Sequence, residues 1–175
     1  MSGTLVYSSG GKSLYASLTY LNNQLVKDSL QHLQLEKQND AYEGATFSLE
    51  GTSFRSRRGK LTPKKKGYFV AFWEKDPAGT NHPFSYEDSP EKVIVTVLDA
   101  PFSGHFIFPK KRLLEKGILK GPDTKGKMAL RVYPTWEQGL NKTARITQSW
   151  QIEYFTDTSE NRGVEKDSLP DGIDK

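Results

Sequence analysis

The sequence predicts an α/β domain, a central mixed sheet of four to five strands flanked by helices. Two runs in the middle, GYFVAFWEK at 67–75 and EKVIVTVLD at 91–99, are apolar on both alternating faces, as strands covered on each side by other elements are. Helical periodicity brackets this β-rich region. Leu14, Leu18, Leu21 and Leu25 recur at i, i+4, i+7 and i+11, and Ile146, Trp150 and Tyr154 at i, i+4 and i+8. A length of 175 residues suits one domain with room for three layers.

Taken in order, the leucine stripe predicts a helix over about 12–28 with Ser13 as its N-cap. Residues 29–43 (SLQHLQLEKQNDAYE) read as a continuation of that helix or a connector. After Gly44 the texture becomes β: ATFSLEG, then SFRSRRGKLT, then GYFVAFWEK, with Gly51 and Gly67 as punctuation. Thr62 and Pro63 should break the ladder between the second and third, because proline has no amide proton to pair. EKVIVTVLD and HFIF at 105–108 continue the strands. Pro109 suits a first helical turn, and Leu113, Leu114 and Ile118 mark a short helix ending near Gly117 or Gly121. MALRVYP at 128–134 is a further strand, and the last helix runs over about 141–155. Beyond it Asp157, Glu160, Glu165, Asp167, Asp171 and Asp174 outnumber the cations, and bulky apolar residues are scarce. The expectation is a domain over 1–155 and a disordered acidic tail over 156–175.

Several function classes have no anchor. With no cysteine there is no disulfide, thiolate metal site or cysteine nucleophile. No run of about 18 apolar residues and no charged-then-apolar leader is present, so a soluble, cytoplasmic protein without membrane association is expected. His32, His82 and His105 are isolated, without metal-ligand spacing. YSSGGKS at 7–13 lacks the glycine spacing of a phosphate-binding loop, and neither GxGxxG nor GxSxG occurs. No resident small-molecule cofactor is expected, and no heptad or apolar strip indicates an oligomeric state.

Charge is concentrated rather than spread. From Gly51 to Trp73 the ionisable groups are Arg55, Arg57, Arg58, Lys60, Lys64, Lys65 and Lys66, with no Asp or Glu, and Phe54, Tyr68, Phe69 and Trp73 are interleaved with them. In an extended strand Arg55 and Arg57 share one face opposite Phe54, so the arginines are expected to project outward. Arginine forks and mobile lysines suit phosphates, and neutralising several phosphates releases condensed counterions. The alternative is a solvated hairpin whose charges protect a sheet edge. A second patch, Lys110, Lys111 and Arg112, falls in a first helical turn, where cations oppose the helix dipole and an anion would relieve them. Arg131, with Tyr133 and Trp136, could add base stacking, although such aromatics more often pack. Gln148, Gln151 and Arg145 lie off the apolar stripe of the last helix and are expected in solvent unless they face a ligand.

Four ordered blocks, FRSRRGKLTPKKKGYFVAFW at 54–73, GHFIFPKKRLL at 104–114, MALRVYPTW at 128–136 and TARITQSWQIEYF at 143–155, resemble the MepB family over about Tyr42 to Phe155. The resemblance implies a soluble bacterial protein encoded beside a multidrug efflux pump and its repressor, with a fold similar to the PD-(D/E)XK nuclease core. The predicted order of elements agrees with the α-β-β-β-α-β arrangement of that core. An active site of that kind needs a carboxylate on the second core strand and an acid-x-lysine on the third, holding Mg²⁺ beside the scissile phosphate. The acids available are Glu43, Glu50, Glu74 and Asp99, but Glu74 precedes Lys75 without a spacer and Asp99 has no lysine two residues on. The expectation is therefore a protein that binds DNA or RNA along its phosphates through Arg55, Arg57, Arg58, Lys60, Lys64, Lys65, Lys66, Lys110, Lys111, Arg112 and Arg131, without catalysis. The alternatives are a Mg²⁺-dependent nuclease and a protein-interaction accessory to efflux, the latter favoured if the two basic segments lie on opposite faces.

Overall fold

The structure, a computed structural model, describes residues 15–25 and 30–160. The expected N-cap Ser13 and the acidic stretch 161–175 lie outside the described residues. The elements are α1 (Ala16–Gln24), β1 (Gln31–Leu35), β2 (Ala45–Leu49), β3 (Thr52–Arg58), β4 (Tyr68–Ala71), β5 (Trp73–Lys75), β6 (Asn81–Pro83), β7 (Lys92–Asp99), β8 (Phe102–Pro109), α2 (Lys110–Glu115), β9 (Ala129–Val132), α3 (Lys142–Gln151) and β10 (Phe155–Asp157).

The main sheet is mixed and flanked by helices, with six strands in the order β1-β2-β3-β7-β8-β10 rather than four or five. β3 and β7 run parallel and every other neighbouring pair antiparallel. The β2–β3 hairpin closes through Glu50 and Gly51, both at positive φ (49° and 81°), the twist that a two-residue turn requires. β7 holds the centre because its side chains serve both faces. Val93, Val95 and Val97 enter one cluster with Phe106, Phe108, Val70, Phe72, Phe84, Leu113, Val132 and Trp150. Ile94 enters the other, with Phe47, Phe54 and the α1 residues Leu18 and Leu21. Each fully buried Val, Leu or Phe contributes about 1.5–3 kcal/mol, so the two clusters fasten a layer to each face of the sheet.

GYFVAFWEK is not a central strand. It splits at Phe72, whose N–H bonds the Met128 carbonyl (2.9 Å), into β4 and β5. β4 forms a ladder with β9, and β5 with β6, on the face opposite α1. The doubly apolar character is real, but it comes from packing in a second layer: Tyr68, Val70 and Phe72 point into the core, while Phe69 lies under the Arg131 guanidinium (5.7 Å). As expected, the chain around Thr62 and Pro63 carries no regular ladder; only an isolated Lys60–Phe69 bridge joins its ends.

Two other expectations give way. Within 29–43 the described residues, from Leu30 on, form no α-helix: β1 is an edge strand irregular between Gln31 and Gln34, followed by a 3-10 turn at Asp40–Tyr42. It is mostly exposed, and its one apolar alternation, Leu33 and Leu35, is too short to mark a strand. The first residues after Phe155 are ordered into β10, and Thr158 and Ser159 clasp Ser103 by backbone and hydroxyl bonds (2.8–3.3 Å).

Candidate nucleic-acid interface

Along β9 burial alternates, with Leu130 and Val132 in the core, so Ala129, Arg131 and the following Tyr133 share the outward face. α3 lies beside that strand. Asn141 caps it, its Oδ1 accepting from the Ala144 N–H (2.9 Å). Trp150 goes into the core, and Gln151, 1% exposed, works on the strand edge: its Oε1 accepts from the Tyr133 N–H and its Nε2 donates to the Arg131 carbonyl, both at 2.9 Å. Gln148 donates to the Pro134 and Glu137 carbonyls. Neither glutamine is a solvent-facing residue; both hold the segment after β9 against the helix. Ile146, predicted in the apolar stripe, is 58% exposed instead.

Two clefts follow the seam between β9 and α3. One, of about 500 Å³, is bounded by Lys64, Lys65 and Lys66, by Arg131 and Tyr133, and by the first turn of α3. The other, of about 390 Å³, is bounded by Lys116, Lys127, Arg131, Tyr133, Ile146 and Trp150. Arg131 and Tyr133 border both, so the clefts form one run. The cations along it are Lys64, Lys65, Lys66, Arg131, Lys116 and Lys127, and no carboxylate lines it among the described residues. Arg131 donates to the Lys66 and Gly67 carbonyls (3.2 and 3.4 Å), which fixes the base of the lysine loop. Lys66 is itself pinned to the Gln138 carbonyl. The Tyr133 ring lies on Gly67: a Cβ there would meet it at 2.7 Å, and the glycine φ of +80° is one other residues rarely adopt. Partial burial pushes the Tyr133 phenol above its ordinary pKa, so the ring is neutral at working pH.

The arginines of β3 do not project outward as expected. Arg57 is fully buried, donating to both Glu36 oxygens (3.3 and 3.1 Å), to Asn39 Oδ1 and to the Ser56 carbonyl. Gly44 makes room for it, since a Cβ there would lie 3.0 Å from Nη1. Arg55 bonds Glu36 at 3.0 Å and lies 3.7 Å over the Phe84 ring. Arg58 bonds Glu43 at 2.9 Å. Burial alone would raise the Glu36 carboxyl, but Arg57 and Arg55 together hold it below its ordinary range. The three arginine charges of 51–73 are thus met by Glu36 and Glu43, which lie earlier in the chain, and the lysines of that window are not. Lys60 is exposed, 5.4 Å over Tyr42, and borders neither cleft.

The second patch also disperses. Lys110 donates to the Tyr86 and Ser89 carbonyls, and Arg112 pairs with Glu115 (3.1 Å), leaving Lys111 exposed at the start of a six-residue helix. Trp136 packs rather than stacks on a ligand: its ring is 5.0 Å from Phe102, and its N–H bonds the Tyr68 hydroxyl.

The four candidate acids do not converge. Glu43, 8% exposed, accepts from the Ser17 N–H and from Arg58, tying α1 to β3. Glu50 is a hairpin-turn residue at the opposite end of β2. Glu74 lies in β5 with His82 at 3.9 Å. Asp99 closes β7 and accepts from the Tyr68 hydroxyl (2.8 Å), whose pKa is pushed well up, first by burial and then by this bond. No group of three or more His, Asp or Glu among the described residues is placed to hold a metal ion.

Sequence reasoning missed Lys116 and Lys127 as partners of the Lys64–Lys66 loop. Ala129, Arg131 and Tyr133 at spacing two carried a usable signal, because a strand with one core face must present those residues together on the other. Among the described residues no helix is long and apolar enough to cross a membrane.

The fold is a mixed six-stranded α/β sheet with two small outer ladders. The MepB-like family model matches residues 36–157, and the chain belongs to that family. The crystal structure of MepB is 44% identical, matching 85% of this chain and 100% of its own, with a TM-score of 0.76. A bacterial homing endonuclease, I-Ssp6803I, also aligns, at 12% identity over 78% of this chain and 84% of its own, with a TM-score of 0.36, too slight a likeness to argue from. No curated protein matches the chain.

Proposed function

We propose that this protein binds nucleic acid along its phosphate backbone in the seam between β9 and α3, without cleaving it. The observation that carries the reading is the run of Lys64, Lys65, Lys66, Arg131, Lys116 and Lys127 along two joined clefts, with no carboxylate among their described lining residues. Like charges drawn together from three separate chain segments cost free energy in the empty protein, and a polyanion offsets that cost. The lysine loop and the turn after α2 border the same seam, which favours one ligand surface over a protein accessory with two opposed basic faces. Hydrolysis is left out because Mg²⁺ chemistry needs convergent carboxylates, whereas Glu43, Glu50 and Asp99 are engaged in ties, a turn and a tyrosine bond.

The test is fluorescence anisotropy of labelled oligonucleotides with EDTA present, at low and physiological salt. For four to six neutralised phosphates, affinity is expected to fall roughly 50- to 1,000-fold as salt rises fourfold. Absence of binding at low salt would refute the reading.

A further inference from the structure

We infer that the strand taken by this seam is single, with an unpaired base stacked on Tyr133; the inference rests on the nucleic-acid reading above and narrows its ligand. Elements that read duplexes protrude into a groove. Here the basic residues surround hollows instead. Clefts of about 500 and 390 Å³ are of the size that encloses small organic molecules, hence a nucleotide or two, and not the convex flank of a double helix.

The lining of the smaller cleft adds an independent argument. Ile146 is 58% exposed on α3, and it borders that cleft with Trp150 and Leu130. Phosphates gain nothing from an isoleucine, whereas a base released from its partner has two apolar faces to cover. Tyr133 borders both clefts, with Arg131 beside it, its ring backed by Gly67. Lys64 and Lys65 line one of the clefts it borders, and Lys116 and Lys127 the other. That order is cation, aromatic, cation, the order of phosphate, base, phosphate along an unpaired strand. The contacts are to features common to DNA and RNA, so the expected ligand is an unpaired strand of either.

The test compares four labelled probes at low salt: a single-stranded DNA, its RNA equivalent, a hairpin duplex of the same sequence, and a single strand with abasic sites in its middle. The intact single strands are expected to bind at least about tenfold tighter than the duplex and the abasic strand. Tyr133→Leu is expected to lower single-strand affinity about 5- to 100-fold while hardly changing the abasic strand, and Tyr133→Phe to restore it. Thermal melts of both variants report folding separately. Duplex bound as tightly as single strand, or Tyr133→Leu binding like the parent, would overturn the inference and leave the phosphate reading standing. Failure of all four probes to bind would overturn both.

Discussion

Gln151 completes the hydrogen bonding of Tyr133: a helix side chain supplies the carbonyl that the Tyr133 N–H lacks on the free edge of β9, at 2.9 Å, and returns a bond to the Arg131 carbonyl two residues back. β4 serves the other edge of the strand. The outward residues Arg131 and Tyr133 are therefore set by a buried amide that mimics a strand.

Gln151→Leu leaves that N–H and carbonyl unpaired at the strand edge. With roughly 1–3 kcal/mol for each buried group left unsatisfied, a loss of about 2–4 kcal/mol is expected in urea unfolding, accompanied by weaker oligonucleotide binding. A variant as stable as the parent would show that the amide is incidental.

Glu36→Gln removes the counter-charge of a fully buried Arg57 and of Arg55. Breaking a buried pair on one side costs about 3–5 kcal/mol, so a large fall in stability is expected. The salt dependence of binding by the molecules that remain folded should not change, because neither residue borders the clefts. A loss of salt dependence would return the β3 arginines to the ligand surface.

His105, nearly buried, has Nδ1 at 2.9 Å from the Tyr20 hydroxyl, and burial pulls its pKa below the ordinary 6.5. The unfolded chain therefore takes up a proton that the folded chain refuses. Stability from this group falls as pH drops through 6.5 and levels off below the folded pKa. Glu36, held below its ordinary 4.5, adds a second loss that starts only beneath that value. Urea midpoints measured across pH should bend twice, and His105→Gln should remove the upper bend alone.

Adding Mg²⁺ or Mn²⁺ to a bound oligonucleotide should leave it intact on a gel. The four acids stand at a helix tie, a turn, a peripheral ladder and a strand end. Cleavage that is lost in Glu43→Gln or Asp99→Asn without loss of folding would instead reveal a site that assembles on the ligand.

The central strand was legible because Val93, Ile94, Val95 and Val97 cannot all be covered from one side. β1 was not, since an exposed edge strand offers only Leu33 and Leu35 at spacing two, too short a period to read. The fate of the β3 arginines turned on distance along the chain: Arg57 meets an acid 21 residues away and Arg58 one 15 residues away, both outside the window that looked free of acids. Local sequence records which charges exist, and only packing decides which remain uncompensated. The lysine loop kept its charge because Lys64 and Lys65 are exposed, whereas the convergence of Lys116 and Lys127 on the same seam depends on the long-range pairing of β9 with β4, Val132 against Tyr68.

The most direct measurement is the slope of log affinity against log salt for the parent and for Lys64→Ala, Lys65→Ala, Lys116→Ala and Lys127→Ala combined. Each phosphate contact contributes about 0.7 to that slope on a single strand, so the fourfold variant should be shallower by up to about 3, with an unchanged melting temperature. An unaltered slope and affinity would contradict the assignment of the β9–α3 seam as the nucleic-acid site.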